Sequence, residues 1–211
     1  MFIVTSSLDQ IADLYEAGTL GLIEHDGWVE VFFDDRETAA KFGEPHEALD
    51  VDWVQQTQDA WPPLLVGEKF FLVAPWRTEP TPEGRFRLEI NPGQLCGTGQ
   101  HPCTQKCLEA MERIVRPGDS VLDVGSGSGI LSIAAKLLGA RTVIACDIDP
   151  EACVDFVGSI DAVRSNSFDV VVANINEEVI GRMRRDFERV ATHRILSGFQ
   201  NEEGEWTCIA D

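Results

Sequence analysis

Residues 121–149 most narrowly limit what this chain can fold into. Val121-Leu122-Asp123-Val124 is an apolar run of strand length that enters Gly125-Ser126-Gly127-Ser128-Gly129, a glycine-rich turn. Ile130 to Leu138 then repeats apolar residues at helical spacing, and Gly139 stands where a helix C-cap belongs. A second apolar run, Thr142 to Cys146, delivers Asp147 to its carboxyl end. Strand, loop, helix and strand in this order form half of a nucleotide-binding α/β unit. The glycines let the backbone approach a ligand, and the terminal acid is placed to accept hydrogen bonds from ribose hydroxyls. A glycine-rich loop by itself is equally a tight strand-to-helix turn; the ordered run and its acid favour the nucleoside site.

The glycine spacing narrows the ligand. A dinucleotide fingerprint needs G-x-G-x-x-G, whose third glycine would fall on Ile130. The loop instead reads G-x-G-x-G after Asp123, no P-loop lysine follows, and acids flank the turn. Little here neutralises a pyrophosphate. A ribose-bearing ligand without phosphates and with positive charge suits this loop better, and S-adenosylmethionine is such a ligand.

Composition excludes several classes. The chain of 211 residues is 44% hydrophobic and 25% charged, ordinary for a globular protein with a substantial core. No apolar run is long enough to span a membrane, and the N-terminus lacks the pattern of a signal peptide, so a cytoplasmic protein without a membrane partner is expected. The net charge of −19 argues against direct nucleic-acid binding, which rests on phosphate neutralisation by Lys and Arg. It suits a basic partner, although an acidic surface also serves solubility alone. The cysteines at 96, 103, 107, 146, 153 and 208 form no C-x-x-C pair and no zinc spacing. Reduced thiols with structural roles are expected, and no metal.

Residues 1–52 alternate short strands (Met1 to Thr5, Trp28 to Phe33) and helices (Leu8 to Ala17, Asp35 to Phe42), a small α+β domain without a catalytic constellation. Residues 53–84 are rich in Trp and Pro, including Trp53, Trp61-Pro62-Pro63 and Pro75-Trp76, with Lys69 to Ala74 strand-like between them. This reads as an interdomain connection or the edge of the second domain. The α/β pattern occupies 85–211. One stretch there is too short. Only Ile148 to Cys153 separates Asp147 from the strand-like Val154-Asp155-Phe156-Val157, whereas parallel strands need a crossover of about a dozen residues or more. Asp149-Pro150-Glu151-Ala152 starts a helix that has no body, so crossover residues are expected to be missing near Cys153 and Val154. Residues 200–205 are compressed in the same way or form a hairpin.

Two further constellations flank the loop. Gly97-Thr98-Gly99-Gln100-His101-Pro102-Cys103-Thr104 precedes a helix expected from Gln105 to Val115. Thr104 there caps the helix or faces a ligand, and His101 is a structural donor or a site residue. Downstream, the strand Phe168 to Ala173 ends at Asn174-Ile175-Asn176. Ligands of open α/β sheets bind outside the carboxyl ends of the strands, so Asn174 points to the crevice of Gly125 and Asp147, unless it only caps the next helix.

Taken together, the G-T-G-x-H-P-x-T run, the Asp123 to Gly129 loop, Asp147-Ile148-Asp149-Pro150 and Ala173-Asn174-Ile175 resemble the PrmA family. Its members are bacterial S-adenosylmethionine-dependent methyltransferases of protein eleven of the large ribosomal subunit. The resemblance implies a class I, Rossmann-like methyltransferase domain behind a small N-terminal domain that recognises the ribosomal protein. It implies transfer of methyl groups to lysine side chains, the N-terminal amine or both in that substrate; a monomer is expected. It also implies that Thr104, Gly125, Ser126, Gly127, Asp147, Ile148, Asn174 and His101 bind the cofactor, with Asp147 on the ribose, Ile148 against the adenine and Asn174 as the catalytic residue. Cys96, Gln100 and Cys103 depart from the family pattern and put the packing of that loop in question. A class I methyltransferase for another protein or a small molecule would use the same site. A nicotinamide-dependent oxidoreductase is disfavoured by Ile130, and a non-catalytic binding module by the intact Gly125, Asp147 and Asn174.

Overall fold

In the computed structural model, which describes residues 1–47, 58–92 and 97–211, the chain forms two units, Met1–Thr57 and Gln58–Asp211. The expected boundary between residues 52 and 53, with Trp53, lies outside the described residues, as does Cys96.

The first unit runs β1 (Phe2–Ser6), a 3-10 turn (Leu8–Gln10), α1 (Ile11–Glu16), β2 (Gly21–His25), β3 (Trp28–Phe33), α2 (Arg36–Ala39) and β4 (His46–Glu47). Its antiparallel sheet has the order β2-β3-β1-β4. Alternation along β3 turns Val29, Val31 and Phe33 inward, where they meet Val4, Leu14 and Ala39 in one core. Asp35 opens α2, its carboxylate accepting from Thr38 N at 2.8 Å. β2 is announced by the Asp26-Gly27 pair rather than by hydrophobic period. His25 pairs with Trp28 across a two-residue turn, in which Gly27 has φ +87°.

The second unit opens with β5 (Leu64–Val66), β6 (Phe70–Val73) and β7 (Phe86–Glu89), a sheet in that order with β5 antiparallel and β7 parallel to β6. Then follow α3 (Pro102–Ile114), β8 (Ser120–Val124), α4 (Ile130–Leu137), β9 (Thr142–Asp147) and β10 (Phe156–Val157). A 3-10 turn (Ile160–Ala162), β11 (Phe168–Asn174), α5 (Glu177–Val190), β12 (Ala191–Gln200) and β13 (Trp206–Ala210) complete it. The Trp- and Pro-rich stretch is more than a connection. Val66, Phe70, Leu72 and Leu88 of the small sheet join the core built by α3 and α4.

The main sheet has the order β10-β9-β8-β11-β12-β13, all neighbours parallel except β13. Its central strands are covered on both faces, which is why they read as continuous apolar runs. Val121, Val170, Val172 and Ile195 pack under α3 and α4; Leu122, Val171, Ala173 and Leu196 pack under Ile180, Phe187 and Val190 of α5. The chain order reverses at β8, which lies between β9 and β11. This switch point opens a crevice at the carboxyl ends of those strands.

The shortened crossover is solved by a loop. Asp149 accepts from Glu151 N at 2.9 Å, a helix-starting turn, but no helix follows before Phe156. β10 pairs only at Phe156–Cys146 and Val157–Asp147. A two-residue strand needs only a short return path, and Asp155 fixes its level by bonding Ala145 N at 2.8 Å. Residues 200–205 form a hairpin: Asn201 Oδ1 accepts from Glu203 N at 3.1 Å and Glu205 N at 2.9 Å.

Candidate functional site

A cavity of about 710 Å³ lies at the switch point, and all eight expected site residues line it: His101, Thr104, Gly125, Ser126, Gly127, Asp147, Ile148 and Asn174. Three chain segments meet there for separate local reasons. The glycine loop turns sharply out of β8, with Gly125 N and Ser126 N both donating to Cys146 O at 2.8 and 3.2 Å. Gly125 has φ +72°, and a Cβ on it would stand 2.3 Å from Ile175 Cγ2, so only glycine fits between the loop and β11's end. Gly129 closes the turn as the left-handed N-cap of α4.

Asp147 leaves β9 with its carboxylate tied to the loop. Oδ2 accepts from Gly127 N at 3.0 Å and Oδ1 from Asp149 N at 3.1 Å. Each carboxylate oxygen retains a lone pair for a further donor. Beside it Ile148 is 79% exposed, an apolar side chain spent on the cavity rather than on the core. Val179, Met183 and Gly158 continue this apolar wall. It can take a flat ring, with a diol held at Asp147.

The third segment decides two capping alternatives and moves one helix start. α3 begins at Pro102, not Gln105, and His101 is its N-cap, with Nδ1 accepting from Cys103 N at 3.3 Å. Thr104 is therefore inside the helix, 1% exposed, and its Oγ1 accepts from Asn174 Nδ2 at 2.9 Å. Asn174 does not cap α5 either; Asn176 does, accepting from Glu178 N at 2.8 Å. The Thr104–Asn174 bond joins residues distant in sequence and engages the amide nitrogen of a residue that lines the cavity, so the carbonyl oxygen of Asn174 takes no part in it.

Trp206, the first residue of β13, also lines the cavity, its ring edge-on to His101 with centroids 4.6 Å apart. Sequence reasoning missed it, along with Gly198 and Met183. A strand position two segments downstream carries no local mark of which crevice it will face. Gly198 did carry a signal, a lone glycine inside a strand-like run, and the structure gives the reason: it has φ +116°, and a Cβ there would lie 1.8 Å from Ile175 O.

Behind the loop, Asp123 is fully buried. It accepts from Ser132 Oγ at 2.7 Å through Oδ2, while Oδ1 has no partner. Burial pushes its carboxyl up to about 6 against the bonds from Ser132, and the charge of Asp147 adds to the rise. Asp123 is the only buried ionisable carboxylate of the core among the described residues, and it adds negative potential behind the glycine turn when ionised. Among the described residues no group of His, Cys, Asp or Glu is arranged to hold a metal ion.

The parallel sheet with its switch at β8, the G-x-G-x-G turn after it and the acid ending β9 define a Rossmann-like fold of the class I methyltransferase type. The profile of the ribosomal protein L11 methyltransferase (PrmA) family matches residues 30–157, and the chain belongs to that family. A protein of Burkholderia lata named ribosomal protein L11 methyltransferase is 43% identical over 141 residues, 61% of this chain and 47% of its own. One of the same name from Geobacillus kaustophilus is 42% identical over 161 residues, 68% of this chain and 52% of its own. The chain thus spans about half the length of the curated relatives it matches. The crystal structure of a ribosomal protein L11 methylase from Lactobacillus delbrueckii subsp. bulgaricus is similar with a TM-score of 0.56. It is 26% identical, covering 65% of this chain and 80% of that one.

Proposed function

We propose that this chain is an S-adenosylmethionine-dependent N-methyltransferase whose substrate is ribosomal protein L11, a basic partner for an acidic enzyme. The observation that carries the reading is the convergence of Asp147, Ile148, the glycine turn and the Thr104–Asn174 pair on one cavity, in a chain of this family. The donor set fits the cofactor: acceptors for a ribose, an apolar wall for adenine, acidic surroundings for a sulfonium and, among the described lining residues, no Lys or Arg for phosphates. When bound, S-adenosylmethionine supplies a methyl group on a positively charged sulfur.

The protein's part is binding and orientation. Asp147 accepts from the ribose hydroxyls while two backbone N–H groups hold its carboxylate in place. Gly125 lets the backbone come close to the methionine portion, and Ile148 covers one face of the adenine. The substrate amine, with an ordinary pKa of about 10.4, must be deprotonated before it can attack. Burial beside a cation lowers that value without a dedicated base. The Asn174 carbonyl oxygen accepts from one amine N–H, and Thr104 fixes the amide so that the lone pair faces the methyl. His101 and Trp206 wall the side from which the amine enters. The first unit is assigned to recognition of the ribosomal protein.

Incubation of the chain with S-adenosylmethionine and isolated L11, followed by mass spectrometry of L11, tests the reading. Added methyl groups on amines support it. An unmodified substrate, in a preparation that binds the cofactor, would redirect the search to another protein or a small molecule.

A further inference from the structure

The sheet of the first unit departs from the pattern of an antiparallel sheet with one solvated face. Leu14 of α1 and Ala39 of α2 pack on the side of Val29, Val31 and Phe33, so the positions that alternate with these should be polar. On that outer side the register instead sets Ile3 beside Phe32, Glu30 beside Ile23 and Trp28 beside His25. Ile23 is 46% and Trp28 38% exposed, while Ile3 and Phe32 are half-buried. Four large apolar side chains thus share one face without a helix of their own unit over it. The His25 ring stacks on Trp28, with centroids 3.9 Å apart and planes 14° from parallel, which holds the indole in place.

The charge of this unit has no counterpart within it. Residues 1–47 contain eleven Asp and Glu against two Arg and Lys. All eight ion pairs among the described residues lie in the second unit. Of the eleven carboxylates only Asp35 accepts a hydrogen bond, from Thr38 N. The two cations, Arg36 and Lys41, belong to α2 and the turn after it. Glu30 stands half-buried in the middle of the outer face, and its carboxylate has no cation beside it. A partner that covers this face takes water from that carboxylate, so it must bring a cation to it.

The geometry points to the outer face of the β2-β3-β1-β4 sheet as the docking surface for the basic protein substrate. A Lys or Arg of the substrate pairs with Glu30, a second cation lies against the Trp28 ring, and apolar side chains cover Ile3, Ile23 and Phe32. The acidic balance of the unit excludes nucleic acid and anionic lipid as occupants. The inference rests on the reading of this chain as a methyltransferase of L11, and adds the face and the side chains that hold the substrate.

The test titrates isolated L11 into the whole chain by calorimetry. Trp28→Ala and Glu30→Lys should each raise the Kd for L11 about 10-fold or more, the scale of an aromatic or charged anchor. Glu16→Lys makes the same charge change at the end of α1 and should alter it less than about threefold. Affinity for S-adenosylhomocysteine should stay constant in all three. Wild-type affinity for L11 in folded Trp28→Ala and Glu30→Lys would overturn the proposal, as would an equal loss in Glu16→Lys. Hydrogen exchange of the unaltered chain decides the matter even if a variant fails to fold: L11 should protect β2 and β3, and protection confined to other segments would also overturn it. If L11 is methylated while residues 21–33 gain no protection, the docking surface falls and the methyltransferase reading stands. If L11 neither binds nor is methylated, both fall.

Discussion

Replacing Asp147 with alanine should weaken S-adenosylmethionine binding by about 1.5–3 kcal/mol, the scale of hydrogen bonds to a charged group. That is about a ten- to 150-fold rise in Kd. The structure divides this loss. The carboxylate already accepts from Gly127 N and Asp149 N, so alanine removes the ribose acceptors and also frees the turn that backs the cofactor. Asparagine separates the two effects. Its single carbonyl oxygen can still accept from one of those amides, but its NH2 faces the other donor, so its loss should fall between wild type and alanine. Calorimetry with S-adenosylmethionine and with the uncharged S-adenosylhomocysteine then identifies the cause. Both carry the same ribose, and the account predicts equal losses. If folded Asp147→Ala keeps wild-type affinity for both, Asp147 does not hold the ribose. A loss confined to the charged ligand would make its role electrostatic attraction of the sulfonium instead.

Asn174→Ala should lower kcat by about 5- to 150-fold, the cost of about 1–3 kcal/mol for a lost oriented acceptor, and leave cofactor Kd nearly unchanged; Thr104→Val should show the same split more weakly. A normal kcat in either folded variant would remove the bridge from the mechanism. Asp123 should make stability fall as pH rises. Its carboxyl lies at about 6 in the folded protein against an ordinary 3.8, so its contribution is full below about pH 4 and lost through pH 6. The span corresponds to about 3 kcal/mol, and the urea stability of Asp123→Asn relative to wild type should rise by that order between pH 4 and 7. A constant difference across that range would mean that the buried carboxyl does not titrate there. Deleting residues 1–57 should preserve cofactor binding and abolish methylation of L11, and the full chain should slow with salt as the screening length falls from about 10 Å at 0.1 M to about 3 Å at 1 M. Full-rate methylation of L11 by the folded truncation would remove the recognition role.

The site was legible in the sequence wherever a residue stands at the end of an apolar run. Gly125, Asp147 and Asn174 follow β8, β9 and β11 directly, and strand order alone carries them to one crevice. Capping was not legible. Thr104 and Asn174 both sit at element ends where capping is the ordinary role, and only the fold gives those duties to His101 and Asn176. Trp206 was hidden because its place depends on β13 turning back antiparallel beside β12, a long-range pairing that leaves no local periodicity. The small sheet β5-β6-β7 was obscured by its prolines, which interrupt the pattern between strands without preventing Val66, Phe70 and Leu88 from reaching the core. The shortened crossover was readable from length alone, since about a dozen residues are needed for a helical return and the chain has fewer.

The most direct measurement of the central claim is a calorimetric titration of the whole chain with S-adenosylmethionine, with NAD in parallel. The account predicts saturable, one-to-one binding of S-adenosylmethionine that Asp147→Ala weakens, and no binding of NAD. Saturable binding of NAD, or no heat with S-adenosylmethionine from folded protein, would contradict it.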